Sequence, residues 1–566
     1  MRHHSLSKLI AIFVAAAATL VFVIPGLPQS TSQQPPASPA AQTPAPPTPT
    51  VRVSTRLVQV NVIAQDHDEK PVLGLTKEDF VVTDQGHPQK IEFFSLQQNT
   101  TAVVEMAVAP PTVAPGTHLF SNRLAERKGV QPNVTVILLD QLNTHSTDMP
   151  YARKQVQKFI AEQLRPEDRV ALYSMNGRGL TILHDFTTDV SELLAAVARD
   201  PNHEDFRTSA SEPEPTDSGD STLDAAVDAS NARMAQFYMD DRVEKTELAL
   251  KTIADHIGGL PGRKNLVWVS ASFPADIIGG ELPLDHHPYA DDIENTARAL
   301  NDANIAIYPI DARGLIANPN MARMSGPPAR GASMFPSQMN FATMNTLAER
   351  TGGRAYYNSN DIHGAVRRAI DDSRVTYVLG YYPDGNWDSK FHDIKVQVKK
   401  SGVHLNYRKG YFAIPQTTPT AHQKSAMMRE AIWSPLEATE LGLNVEVTPI
   451  DIPGLRQLKL RVIVSPEQMR FTHDGDRWTD ELDVVWVVAD ARGTALAQTP
   501  QPWRISMPQA AYEKVMRDGL SFSGTIDIAD AATEVRVVAR DKGTGAIGSV
   551  LVPLGRLFAP VKLTSK

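Results

Sequence analysis

Cysteine is absent from the 566 residues of this chain. That excludes disulfides, thiolate metal sites, a cysteine nucleophile and a lipid-modified cysteine at an export site. A basic surplus is absent too: 56 Lys and Arg stand against 64 Asp and Glu, for a formal net charge of −8. Nucleic acid is therefore not an expected partner, and the mild acidity speaks mostly for solubility. Catalytic signatures are also missing. There is no G-x-S-x-G elbow, no H-E-x-x-H, no G-x-x-x-x-G-K-[ST] loop and no kinase set. The Asp and Glu residues are too many and too dispersed to nominate a carboxylate dyad. The expectation is a protein that is not an enzyme.

Long apolar runs are scarce, which makes the one at the start informative. Leu9 to Ile24 is apolar but for Thr19, after a basic start at Arg2, His3, His4 and Lys8. Pro25, Gly26 and Pro28 end it. This pattern reads as a secretory signal, and the run is slightly short of the roughly twenty residues that span a bilayer. Residues 1–27 are expected to be a signal peptide, with an uncleaved N-terminal anchor as the alternative. Either places the remainder outside the cytoplasm: periplasmic, envelope-associated or secreted. Residues 28–50 are Pro-rich and uncharged. They cannot bury a core and read as a disordered linker.

The rest divides by pattern. Residues 51–100 alternate with period two between Asp, Gly and Pro turns, which predicts short antiparallel strands. Asp66-His67-Asp68 and Asp84-Gln85-Gly86 fall at turn positions, where hairpin chemistry outweighs metal binding. Residues 130–382 alternate strand-like and helical runs, which predicts a mostly parallel sheet covered on both faces. Short strands are expected at Leu180–Leu183 and Ala355–Tyr357, and Leu223 to Leu260 reads as one long helix or two. Gly352-Gly353 reads as a helix C-cap and turn. Ser209 to Ser221 is acidic and Pro/Ser-rich, and Met321 to Asn340 is Met-rich with Gly and Pro; both read as loops. Residues 383–415 return to strands that match the character of 51–96 and are expected to pair with them. Residues 423–566 read as an all-β, Ig-like sandwich.

One stretch concentrates the functional argument. Asn133 to Thr144 reads NVTVILLDQLNT: a run of apolar or β-branched residues from Val134 to Leu139, an aspartate, then a polar loop. A central parallel strand that ends at the carboxyl edge of its sheet looks like this. Ligands of open α/β sheets bind at that edge, so Asp140 stands at a site position.

That stretch is followed in order by RVALYSM, LPGRKNLVWVSASFP, ALNDANIAIYPIDARGL, LAERTGGRAYYNSNDI and VTYVLGYYP. Together they resemble a von Willebrand factor A domain, and more narrowly the VWFA-related family described from acidobacterial proteins. The resemblance covers roughly residues 51–415. It implies a Rossmann-like, doubly wound sheet with flanking β segments and a metal-ion-dependent adhesion site. In that site D-x-S-x-S, a threonine and a further aspartate hold Mg²⁺ or Mn²⁺ through oxygen ligands.

Carried over by residue, Asp140 matches the first position and Thr144 the fifth. Leu142 holds the third and cannot ligate. Asn143 offers an oxygen out of phase. The second-loop threonine is Thr222 or Thr246. Ser270 and Ser272 stand where the further aspartate should follow Val269. The competing reading is that Asp140 caps a helix or turn on a metal-free scaffold.

Two further clusters stand out in the sequence. Adjacent His286 and His287 read as a solvated loop rather than a zinc site. Asp311 and Arg313 follow the Ile305–Ile310 strand at the same edge and read as an ion pair or as part of a partner surface. The functional expectation is an exported, non-enzymatic binding protein whose loops around Asp140–Thr144, Ser270–Ser272 and Asp311–Arg313 meet an extracytoplasmic protein. The alternative is a structural envelope or secretion-apparatus component assembled through its C-terminal sandwich.

Overall fold

The structure is a computed structural model. It describes residues 57–98, 116–123, 134–201, 205–211, 216–260, 262–271, 289–315, 336–383, 387–413, 420–452 and 455–558. The expected signal and linker, and most of the Met-rich loop, lie outside the described residues. Among the described residues no helix is long and apolar enough to cross a membrane.

The centre is a five-stranded sheet in the order Ile305–Asp311, Lys264–Ser270, Val134–Asp140, Arg169–Asn176, Gly179–Thr187. The first three pairings are parallel and the last is antiparallel. Every residue of Val134–Asp140 is buried. Alternate side chains serve two cores, as a strand's period of two requires. Val136 and Leu138 pack under Ser221–Ile257, Ala290–Asp302 and Pro336–Thr351. Ile137 and Leu139 pack under Met149–Glu162, Val190–Arg199 and Ile362–Asp371. Burial on both faces is why the strand reads as a run of apolar or β-branched residues.

Two local expectations change in detail, and an open alternative is decided. Leu180–Leu183 belongs to the longer antiparallel edge strand Gly179–Thr187. Ala355–Tyr357 contributes only a single parallel bridge, Ile310 to Tyr356. Leu223 to Leu260 forms one helix, Ser221–Ile257, capped by the Asp220 carboxylate at the N–H groups of Thr222 and Leu223. Its buried side chains begin only at Arg242. The earlier turns are rich in alanine, which sustains helix by propensity rather than by packing.

The flanking strands form two four-stranded sheets around one core. Val58–Gln65 lies between Val375–Tyr381 and His404–Asn406. Phe80–Asp84 pairs with Phe391–Val398. The C-terminal residues form two antiparallel sheets whose apolar faces share a core containing Trp486. One sheet recruits His118–Ser121 against Leu443–Ile452, so this unit is not a contiguous segment of chain. Helices Ala421–Trp433 and Gln509–Asp518 accompany its strands.

Candidate functional site

Neighbours in register on a parallel sheet present their side chains to the same face. Leu138 is in register with Trp268, and Ser270 with Asp311. Asp140, Trp268 and Ser270 therefore share the face covered by the long helix. All three are buried.

Asp140 is the hub. Its Oδ2 accepts from the Asn143 amide at 2.8 Å, the Trp268 indole N–H at 2.9 Å and the Ser270 hydroxyl at 2.8 Å. Its Oδ1 accepts the Asn143 backbone N–H at 2.9 Å. Burial pushes the carboxyl above the usual carboxylate range, and the bonds from Asn143, Ser270 and Trp268 oppose that shift. The Asn143 amide also donates to Thr246 Oγ1 at 2.9 Å, and its Oδ1 accepts from Arg242 Nε at 3.1 Å. Arg242 is buried and bonds the Ser211 hydroxyl as well. The short helix Phe206–Ala210 is tied in by Thr208, whose hydroxyl donates to the Leu142 carbonyl at 2.7 Å. On the other side Gln141 donates to Ser174 Oγ at 2.8 Å and to Asp200 Oδ2 at 2.9 Å.

The other sequence-nominated residues sort themselves by position. Thr246 is the threonine beside Asn143. Thr222 sits exposed in the first turn of the same helix, 24 positions earlier, roughly 36 Å away at 1.5 Å per residue. Thr144 is buried, and its hydroxyl accepts the Ala271 N–H at 2.9 Å. Leu142 is core. Asn143 and Asp311 are buried, so neither forms a contact surface; both hold the edge together. Asp311 binds Arg313 through the latter's backbone N–H at 3.0 Å and Nε at 2.9 Å. Burial raises its carboxyl, and the Arg313 guanidinium opposes the shift. Ser272, His286 and His287 lie outside the described residues. Among the described residues, three potential metal-ligating groups converge at Asp66, His67 and Asp68. There Asp66 Oδ1 accepts the N–H groups of Asp68 and Lys70, which is turn chemistry.

A divalent cation at Asp140 needs converging oxygen ligands and an open position. Here three N–H groups and one hydroxyl already face the carboxylate, and nitrogen donors that carry their hydrogens cannot ligate. The residues present do not fit Mg²⁺ or Mn²⁺. Trp268 and Arg242 were not nominated from sequence. Trp268 sits two positions before Ser270, and that parity was the available signal. Nothing local distinguished Arg242 from other charges on its helix.

Outside this polar core two aromatic rings stand exposed on a surface that also carries Arg233, Gln236, Asp240 and Glu244. Phe206 is 58% exposed and Phe237 63%. Both rings meet Tyr238 edge-on, with centroids 5.4 and 5.5 Å away. Met234 and Leu223 are exposed on the same helix.

No family model matches the chain, and no curated protein does. Among solved structures the chain is similar to the SpRpn10 VWA domain, at 15% identity over 32% of this chain and 75% of that one, with a TM-score of 0.17. It is also similar to the TFIIH p34 N-terminal domain, at 12% identity over 42% and 96%, TM-score 0.21. A third likeness is to the human COPII-coat protein Sec24c, at 10% identity over 56% and 48%, TM-score 0.21. At such scores the architecture rests on the strand order and helix placement above: a mixed α/β protein with one largely parallel sheet and several antiparallel ones.

Proposed function

We infer that the chain is an exported, non-enzymatic scaffold protein of the von Willebrand A-related kind, and that it binds another extracytoplasmic protein at the carboxyl edge of its parallel sheet. One contrast supports this most. The polar side chains of the edge are buried in mutual hydrogen bonds, while beside them the rings of Phe206 and Phe237 stand exposed among polar and charged side chains such as Gln236, Asp240 and Glu244. Large exposed aromatics on rigid elements are common anchors of protein interfaces. Here Phe206 and Phe237 stand on helices pinned to the sheet through Thr208, Arg242 and Thr246. In this reading Asn143 and Asp311 position the surface, and half-buried Arg313 lies at its rim.

The test is capture from an envelope extract by the full chain and by a Phe206→Ala/Phe237→Ala variant with unchanged thermal stability. Loss of each anchor should weaken binding by about 2 kcal/mol, roughly 30-fold. Equal capture by both proteins would remove this surface from consideration.

A second reading is an assembly component that works through the C-terminal unit, an Ig-like sandwich in this proposal. The observation favouring it is the 14-residue edge strand Ala495–Pro508, which among the described residues pairs only with Arg477–Asp490 and is exposed over most of its length. Such edges template pairing with another chain. Pro500 and Pro502 remove backbone donors from it, which blunts that tendency. Concentration-dependent oligomers abolished by charges placed on this strand would favour the second reading.

A further inference from the structure

The geometry points to a built-in substitute for a metal ion: the Asn143 amide and the Trp268 indole N–H stand where a cation would meet Asp140, and the Arg242 guanidinium supplies positive charge from behind. An edge cation would do two jobs. It would balance a carboxylate that cannot stay bare in a dry interior, and it would tie together loops from separate elements.

Both jobs are done here by protein atoms. Asp140 receives four hydrogen bonds on two oxygens. Asn143 spends both amide hydrogens, on Asp140 Oδ2 and Thr246 Oγ1, and its oxygen takes Arg242 Nε at 3.1 Å. A guanidinium on that oxygen polarises the amide, which strengthens the hydrogen bond it gives to the carboxylate. The elements joined are the central strand, its neighbour through Trp268 and Ser270, and the long helix through Arg242 and Thr246. Thr144 extends the tie by accepting the Ala271 N–H. The edge is therefore closed by side chains that cannot be chelated away. A partner docking there needs neither an ion nor a carboxylate of its own. This lock stands whether or not a partner binds.

The experiment is thermal unfolding of the full chain in chelator, then in millimolar Mg²⁺ and Mn²⁺, beside Asp140→Asn and Trp268→Phe. The expected result is no shift of the wild-type midpoint with either ion. Asp140→Asn turns an acceptor into a donor facing donors, and should lower the midpoint by several degrees, equally with and without ion. Trp268→Phe keeps an aromatic side chain but removes the N–H and the five-membered half of the indole, so it should give a drop that includes a cavity cost and is equally ion-independent. It also serves as the readout should Asp140→Asn not fold. A rise of the wild-type midpoint with Mg²⁺ or Mn²⁺ that either substitution abolishes would overturn the proposal.

Discussion

Gly353 follows helix Pro336–Thr351 and passes so close to the sheet that a Cβ there would lie 1.8 Å from the Ile307 carbonyl oxygen. Its partner Gly352 has φ +76° and takes the left-handed turn that ends the helix. Gly353→Ala should cost about 1–3 kcal/mol through backbone displacement, the usual range for overpacking. Denaturant unfolding would read this as a lower midpoint with an unchanged slope. The glycine pair was legible as a C-cap from its place after a helical run, but the close approach was not, because it depends on a strand some forty residues earlier. Asp140 shows the same division. Its place at the end of a buried strand follows from the apolar run before it. Its partners do not, because an indole inside an apolar strand reads as core, and one arginine on a charged helix looks like any other. Residue identity alone left Thr222 and Thr246 equivalent; the length of a single helix separates them.

The long helix Ser221–Ile257 is two things in one element. From Arg242 onward it is an amphipathic wall of the sheet, with Val243, Leu250, Ile253 and Ile257 in the core. Before that no side chain is fully buried, and it is held by alanine content, its cap and, near its middle, by surface contacts of Gln236 and Asp240 with the Tyr289 hydroxyl and of Tyr238 with Phe206. Asp220 accepts the Thr222 N–H at 2.9 Å and the Leu223 N–H at 3.3 Å. Asp220→Ala should cost about 1 kcal/mol, and the loss should appear locally. Hydrogen exchange should quicken in the first turns while amides after Arg242 keep their protection. An equal change along the whole helix would contradict this division. The burial pattern also explains why sequence left one helix or two open. The apolar periodicity that identifies a packed helix is present only in the second half.

Across the molecule the sheet unit meets the C-terminal unit at the far end of that helix. The Thr439 N–H donates to the Asp255 carbonyl at 3.1 Å, and the Gly259 N–H to Thr439 Oγ1 at 3.0 Å. Lys251 pairs with Glu430 at 2.9 Å. Burial, and then the Glu440 carboxylate, push the Asp255 carboxyl up to about 7. The unfolded chain releases that proton near pH 4, while the folded chain holds it until about 7. Stability should therefore fall as pH rises through that window. Asp255→Asn removes this group's share of the slope. Its midpoint should exceed that of the parent at about pH 8 and match it at about pH 4. A parallel pH profile in both proteins would show that Asp255 does not carry the effect. The parallel sheet was legible at this scale because its strands are continuous apolar runs separated by helices. The pairing of His118–Ser121 with Leu443–Ile452 was not, since four residues carry too little pattern to assign a partner so distant.

The flanking sheets set a timetable for making the protein. The Leu75 N–H bonds the Tyr377 hydroxyl across 302 residues, and among the described residues the strands that pair with Val58–Gln65 lie in that later region, beside one local bridge from Gln65 to Pro71. At about 5–20 residues per second, the earliest strands wait roughly 15–60 s for the chain that will close on them. Alternating, unpaired and apolar on one side, they are the segment a holding chaperone has most reason to occupy during synthesis.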